Sequence, residues 1–161
     1  MNIIWHGHSC FEITGKDGTI VFDPYQANSV PGLNSLKLKA NLVLCSHEHD
    51  DHNARNCVEV APKDFKVACI ETYHDHHQGS HRGKNTIHIV DFEDLKVVHM
   101  GDIGCMMDDV SKLKNCDVLM IPIGGYYTID TKEALKYIER IQPRIVIPMH
   151  YHSHEFGYDV L

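Results

Sequence analysis

The first half of the chain consists of short apolar runs bounded by glycine, proline and polar residues, a pattern typical of β-strands. The segment Gly15–Gly18 predicts a hairpin turn between the second and third strands. A loop is predicted over residues 28–35, and a helix over residues 53–60 that ends before Pro62. The strands predicted in this half are residues 2–5, 10–14, 19–22, 41–45 and 66–70.

The most regular helical pattern of the chain covers residues 130–141. Asp130 can cap this helix, and Glu133 follows at the spacing of a capping box. The face that we expect to be buried is formed by Ala134, Leu135, Ile138 and Ile141. The other elements predicted in this half are strands 86–90, 96–100, 118–121 and 144–148 and a short helix over residues 107–114.

Strands, hairpins and helices recur on either side of about residue 85, which predicts an α/β fold in two similar halves. With 161 residues, the chain is expected to form a single domain over residues 1–161. Neither a signal peptide nor an apolar window of roughly 20 residues is recognisable, so we expect no membrane association. Six cysteines without a Cys-x-x-Cys pair predict reduced thiols and a cytoplasmic location.

The charge balance restricts the class of substrate. Acidic residues number 22 against 15 basic residues, a formal net charge of −7. Proteins that wrap nucleic acid usually carry the opposite balance, so we do not expect long nucleic acid as the substrate. The 14 histidines are an unusual excess, and none of them forms a terminal run, so we expect them to belong to the fold.

The densest group of histidines follows the predicted strand 41–45, which is short and apolar and is therefore expected to be a buried strand. Three imidazoles and the carboxylates between them are too costly to bury unpaired, and together they form the ligand set of a divalent metal. His47 and His49 lie on the same side of an extended segment, so both can reach one metal. Asp51 and His52 follow after the chain turns and would face a second metal. An aspartate here could instead cap the predicted helix, but capping leaves the histidines unexplained.

Four predicted strands are followed by a candidate ligand, and these ligands are His47, His74, Asp102 and His150. Because strand ends that converge on one edge bring their side chains together, we expect these four residues to meet. Asp102 could instead cap a helix, although the next predicted helix begins several residues later. His76 is the alternative to His74, and His77 and His81 lie in the same loop.

The pattern His47-x-His49-x-Asp51-His52, a later single histidine, Gly101-Asp102 and a late histidine resembles that of the metallo-β-lactamase-fold hydrolases. The resemblance extends from Ile3 to His150. Several shorter motifs resemble those of the branch that contains ascorbate-6-phosphate lactonase. They match that branch better than they match the antibiotic-cleaving β-lactamases. These features are Gly7-His8, Tyr73-His74-Asp75, Arg82-Gly83-x-Asn85, Pro122-Ile123-Gly124-Gly125 and Thr128-x-Asp130.

The resemblance implies a four-layer αβ/βα sandwich with two divalent metal ions, zinc or manganese with iron as an alternative, at the edge of its sheets. The implied ligands are His47, His49 and His74 for the first metal, Asp51, His52 and His150 for the second, and Asp102 between them. A hydroxide held between the metals would hydrolyse a small ester, lactone or phosphodiester. Family members are commonly longer, so we expect the closing C-terminal element of the fold to be missing after Leu161.

Further candidates surround the expected metal site. His8 is a candidate catalytic residue together with Asp51 and Asp102, although it could instead be a loop histidine bonded to backbone. The candidate substrate-binding residues are Arg82, Asn85 and Tyr126. They predict a small anionic substrate, although an exposed loop charge is the alternative for the arginine. A nuclease and a non-catalytic metal-binding domain are the rival functions. Assembly of the protein into a homo-oligomer is left open.

Overall fold

The computed structural model describes residues 1–160 as two main β-sheets and a smaller third one. The strands are β1 (Asn2–Gly7), β2 (Cys10–Gly15), β3 (Gly18–Phe22), β4 (Leu38–Ala40), β5 (Leu42–Leu44), β6 (Val58–Val60), β7 (Lys66–Tyr73), β8 (Lys84–Phe92), β9 (Leu95–His99), β10 (Val118–Pro122) and β11 (Ile145–Met149). The only α-helix among these residues is α1 (Thr131–Ile141). No helix in this part of the chain has the length and apolar character needed to cross a bilayer.

The first sheet has the strand order β1-β2-β3-β5. Its first three strands are antiparallel neighbours, and β5 joins β3 in parallel. The strand predicted at residues 41–45 therefore exists but is an edge strand, and Leu42, Val43 and Leu44 are only half-buried. The interpretation of this segment as a buried strand was wrong, because it pairs on one side only.

The second sheet has the order β11-β10-β9-β8-β7. Strands β7, β8 and β9 are antiparallel, whereas β10 runs parallel to both β9 and β11. The predicted hairpin between β8 and β9 turns at Glu93 and Asp94, whose φ angles of 51° and 63° are those of a tight hairpin turn. Strand β8 spans residue 85, so this sheet contains residues from both sides of that position.

The two main sheets pack face to face. Their shared core includes Phe11, Ile13, Ile20 and Phe22 from the first sheet and Val90, Phe92, Val97 and Met120 from the second. Helix α1 covers the other face of the second sheet, and the loops and small sheet around β4 and β6 cover the other face of the first. The α/β layered sandwich is confirmed, with fewer helices than the αβ/βα arrangement implies. Residues 151–160 contain bends and a turn and form neither a helix nor a strand.

Two predicted helices are absent from the structure. Residues 53–60 form a 3₁₀ turn at Arg55–Cys57 followed by β6, because Val58–Val60 pairs in parallel with β4. Residues 107–114 contain only a 3₁₀ turn at Ser111–Leu113. The backbone groups of Met107 are instead bonded to α1, through Tyr137 Oη at 2.8 Å and Arg140 Nη1 at 2.7 Å.

The capping box of α1 is confirmed. Asp130 accepts a hydrogen bond from the Glu133 backbone N–H at 2.8 Å, and Glu133 accepts one from the Asp130 N–H at 3.0 Å. The expected buried face was partly wrong, since Leu135 is 55% exposed whereas Tyr137 is fully buried. The helix is rotated so that Tyr137 fills the core and donates its hydroxyl hydrogen bond to the Cys105 carbonyl at 2.8 Å.

This rotation of α1 can be tested with two alanine substitutions. Ile141→Ala should lower the free energy of unfolding by about 2–5 kcal/mol, because the side chain is fully buried. Leu135→Ala should change it by less than about 0.5 kcal/mol, because that side chain faces solvent. Urea denaturation of the two variants provides the comparison, and equal losses would contradict the observed helix orientation.

Candidate metal centre

Four strand ends meet at one edge of the sandwich, as the sequence predicts. The loops after β5, β7, β9 and β11 bring their candidate ligands around the carboxylate of Asp102. Asp102 Oδ2 lies 2.9 Å from His150 Nε2, 3.1 Å from His52 Nε2, 3.4 Å from His74 Nε2 and 4.0 Å from His47 Nε2. A single buried carboxylate is therefore surrounded by four imidazoles from three different parts of the sequence.

The candidate ligands form two groups, and a third set connects them because it shares one histidine with each group. One group contains His47, His49 and His74, and the other contains His8, Asp51, His52 and His150. The joining set is His47, His52 and Asp102. Within each set the potential ligand atoms lie within 4.8 Å of one another. The grouping coincides with the one implied for two metals, with His8 added to the second.

Several buried polar atoms of the centre have no hydrogen-bond partner within the part of the chain that the structure describes. Among the described residues, His47 Nε2, His52 Nε2 and Asp102 Oδ1 are buried without a hydrogen-bond partner. A buried unpaired polar atom costs about 1–3 kcal/mol, so three in one cluster indicate that an additional group belongs there. Because the atoms are imidazole nitrogens and a carboxylate oxygen, a divalent transition metal fits the donor set.

Burial keeps several of these histidines neutral. It lowers the pKa of His47 to about 3 and that of His8 to about 4, with neighbouring imidazoles acting in the same direction. Burial also lowers the pKa of His74. Neutral imidazole is the form that binds a metal, so burial maintains these side chains in the ligand state.

The central carboxylate is held in its ionised form. Burial alone would raise the pKa of Asp102, but the positive potential of His150 and His52 outweighs it and holds this pKa well below its usual range. The pKa of His52, in contrast to those of His8, His47 and His74, is raised. Burial opposes this shift, and the two carboxylates beside the ring, Asp102 and Asp23, outweigh burial.

Asp23 is a supporting residue that the sequence analysis missed. Its buried carboxylate accepts hydrogen bonds from the Ser46 N–H and hydroxyl, both at 2.6 Å, and from His52 Nδ1 at 2.9 Å. Ser46 Oγ in turn lies 2.9 Å from His47 Nδ1. These bonds direct the Nε2 atoms of both rings toward Asp102. Its position at the end of β3 was a usable signal, because it is also a strand end.

Asn85 supports Asp102 and does not face a substrate. It is 1% exposed, and its Oδ1 accepts a hydrogen bond from the Asp102 backbone N–H at 2.8 Å. Its Nδ2 donates to Thr72 Oγ1 and to the Met100 carbonyl, both at 2.9 Å. Gly101 has a φ of 56°, and a Cβ atom there would collide with Asn85 Oδ1. The prediction of Asn85 as a substrate-binding residue is therefore wrong.

The loop after β7 selects His74 over its neighbours. Asp75 is buried, and its carboxylate folds the loop by accepting four backbone hydrogen bonds. The donors are the N–H groups of His77, Gly79, His81 and Arg82, at 2.7 to 3.1 Å. His74 thereby lies in the cluster, whereas His76 is exposed with its Nε2 3.6 Å from Glu133.

His8 reaches the centre because of an unusual backbone conformation. Its φ of 53° lies in the left-handed region, and its side chain is fully buried. His8 Nε2 lies 3.2 Å from Asp51 Oδ2, and its ring centroid lies 4.0 Å from that of His150. The alternative of a loop histidine whose ring is bonded to backbone does not apply.

A cavity of about 200 Å³ opens onto the cluster. It is lined by Asp51, His74, Asp102, Tyr127, His150 and Tyr158. The guanidinium of Arg82 lies over the Tyr127 ring, 5.3 Å from its centroid, and 5.6 Å from the centroid of Tyr126. Tyr126 is 58% exposed and does not line this cavity, so its neighbour Tyr127 occupies the position expected of it. Tyr127 and Tyr158 were missed, since nothing local in the sequence distinguishes them.

A second cavity of about 440 Å³ lies on the other side of the first histidine group. Its lining includes His47, His49, Arg82 and Lys84. Arg82 therefore lies between the two openings. Among residues 1–160 it forms no ion pair, unlike Arg55 and Arg144, which pair with carboxylates.

Comparison with known proteins shows the family to which the chain belongs. Residues 2–150 match the sequence-family model described as the beta-lactamase superfamily domain. A UPF0173 metal-dependent hydrolase of Staphylothermus marinus is 32% identical, over 91% of this chain and 82% of the relative. One from Thermoplasma acidophilum is 28% identical, over 95% and 84%. A solved metallo-beta-lactamase superfamily structure from Thermotoga maritima is 27% identical, with a TM-score of 0.72 over 96% of this chain and 78% of that protein. The chain therefore belongs to the β-lactamase superfamily, within the UPF0173 family of metal-dependent hydrolases.

Proposed function

We propose that this protein is a binuclear metal-dependent hydrolase of small anionic esters, lactones or phosphodiesters. The observation that carries the proposal is the position of Asp102 between two groups of potential ligands. A buried carboxylate shared by two such groups is the arrangement expected of a two-metal site. Metal-dependent hydrolysis is also the activity for which the relatives are named.

In this proposal each group of side chains holds one ion. The ligands are His47, His49 and His74 for the first, Asp51, His52 and His150 for the second, and Asp102 for both. Imidazole and carboxylate ligands suit zinc, manganese or iron. When bound, such ions would supply Lewis acidity and would lower the pKa of a bound water toward neutrality, so that it can ionise near pH 7.

The chain's own residues set the geometry of the reaction. Asp51 and Asp102 line the cavity and are the proposed catalytic carboxylates. His8 acts through its contact with Asp51, and Asn85 acts through its hydrogen bond to the Asp102 backbone. The mostly buried ligands exclude bulk water from one side of the site, which strengthens each electrostatic interaction there.

The surroundings of the site support a small, negatively charged substrate. The cavity over the cluster is only about 200 Å³, which suits a compact reacting group. Arg82 is a cation without a carboxylate partner among residues 1–160, and it lies over the ring of Tyr127, which lines the cavity, so it is available to a second anionic group of the substrate. The net charge of −7 disfavours a long polyanion. The resemblance to the ascorbate-6-phosphate lactonase branch supports the same substrate class.

The thiols of the chain support the proposal of a cytoplasmic enzyme. All six cysteines are free in the structure, and Cys10 and Cys116 are buried. Burial raises the pKa of both thiols, which keeps them protonated and unreactive. Reduced, unpaired cysteines are typical of proteins from a reducing compartment.

The first test concerns metal content and the choice of histidine. Wild-type protein loaded with zinc or manganese and then dialysed should retain close to two equivalents. His74→Ala should lose about one equivalent, because it removes an imidazole from one three-histidine group. His77→Ala is the matched control from the same loop and should retain both, since that side chain is exposed.

Elemental analysis of the three proteins in parallel gives the result. A wild-type value near zero in folded, metal-supplemented protein would refute the two-metal proposal. A larger loss in His77→Ala than in His74→Ala would instead show that the wrong histidine has been assigned.

The second test concerns the substrate. A small phosphodiester, a lactone, a β-lactam and single-stranded RNA are compared by kcat/KM, and the anionic small molecules should be best. Arg82→Gln should raise KM for these by roughly 10- to 100-fold, the equivalent of one hydrogen bond to a charged group. It should leave a neutral ester unaffected.

Lys132→Gln, an exposed cation at the start of α1, is the control for a simple change of net charge. If RNA were hydrolysed best by a large factor, a nuclease would replace the proposed function. An equal KM effect in both variants would remove Arg82 from the substrate site.

A further inference from the structure

We infer that Tyr158 is a positioning residue of the metal centre, acting through the hydrogen bond between its hydroxyl group and the catalytic carboxylate of Asp51. This inference rests on the proposed function. Tyr158 Oη lies 3.2 Å from Asp51 Oδ2 and 2.8 Å from the Ser29 carbonyl oxygen, so its single hydroxyl hydrogen is shared between these two acceptors. The residue lies beyond His150, the last ligand that the sequence pattern contains.

The segment that carries Tyr158 is packed onto the protein. Trp5 contacts both Tyr151 and Phe156, with ring centroids 5.6 and 5.5 Å apart. The Gly157 N–H donates a hydrogen bond to the Pro31 carbonyl at 3.0 Å. Aromatic contacts before Tyr158 and a backbone bond next to it therefore fix where this residue enters the site.

The ring of Tyr158 is also fixed from the side. It lies edge-on to His8, with centroids 5.7 Å apart and an interplanar angle of 79°. On its other side it contacts Tyr127, with centroids 5.5 Å apart. His8 belongs to the metal centre and Tyr127 lines its cavity. Packing against these two rings fixes the orientation of the Tyr158 ring and holds its hydroxyl group near Asp51.

Asp51 needs such support more than Asp102 does. It is half-buried, and its Oδ2 is contacted by His8 Nε2 and Tyr158 Oη, each at 3.2 Å, and by the neighbouring His52 Nε2 at 3.4 Å. The two shorter contacts come from distant parts of the sequence and restrict the rotation of the carboxylate. Orientation of a ligand carboxylate by its neighbours determines how well it binds a metal. Tyr158 is therefore expected to raise the affinity of the second site in particular.

The test uses Tyr158→Phe, which removes only the hydroxyl oxygen and keeps the packed ring. Tyr151→Phe is the matched control, because it makes the same chemical change in the same segment away from the carboxylates. Metal-free full-length proteins are titrated with zinc by calorimetry, and their thermal midpoints are recorded without metal. Tyr158→Phe should weaken one of the two zinc sites by about tenfold and leave the other unchanged, as for loss of one hydrogen bond to a charged group.

The thermal midpoint of the metal-free Tyr158→Phe protein should be slightly below that of Tyr151→Phe, because the hydrogen bond to the Ser29 carbonyl is lost as well. A purely structural role would produce this shift without weakening one zinc site selectively, so the site-selective loss of zinc affinity is the deciding result. Unchanged affinity at both sites would overturn the inference while leaving the two-metal proposal intact. Equal weakening of both sites, or the same effect in Tyr151→Phe, would overturn it as well. A wild-type protein that binds no zinc would refute the proposed function and, with it, this inference.

Discussion

A buried negative charge is the constraint on which the architecture of this protein depends. Asp102 is 1% exposed, and an isolated carboxylate in such a place would cost several kcal/mol. Four imidazoles at 2.9 to 4.0 Å from its Oδ2 provide the compensating environment. The cluster still leaves Asp102 Oδ1 and two imidazole nitrogens without a hydrogen-bond partner among residues 1–160, and a bound cation would satisfy them. The arrangement that makes the site costly to fold is therefore also the one that suits a metal ion.

The packing of two sheets explains how residues so distant in sequence reach this carboxylate. Asp23 and His52 follow strands of the first sheet, whereas Asp102 and His150 follow strands of the second. Because the sheets pack face to face through a common core, the strand ends of both open at the same edge. The hydrogen bond from His52 to Asp23 and its 3.1 Å approach to Asp102 join the two halves there. The functional site is thus also a tertiary contact between the sheets.

Sequence patterns predicted the features that depend on local chemistry. The capping box of α1 and the hairpin of β2 and β3 need only neighbouring residues, and both are present. The prediction of a helix over residues 53–60 was wrong, because the pairing of Val58–Val60 with a distant strand outweighs the local helical propensity. Asn85 was misassigned for a similar reason, since only the tertiary structure shows that its amide is buried against Asp102. Asp23, Tyr127 and Tyr158 have no local motif, and their roles depend wholly on long-range contacts.

The two proposed ion sites differ in the sequence separation between their ligands and the residues that hold those ligands in place. The first group is held by short-range contacts, such as Ser46 with His47 and Asp75 with the loop after His74. The second depends on His8 and Tyr158, from opposite ends of the chain, which both contact Asp51. A ligand that binds only the folded state stabilises it by an amount that rises with the logarithm of its concentration divided by its Kd. In the proposed enzyme, metal binding at the second site would therefore stabilise the positions of His8 and Tyr158 as well as the ligands themselves. Because Tyr158 also lines the cavity, this proposal couples occupancy of the second site to the shape of the cavity.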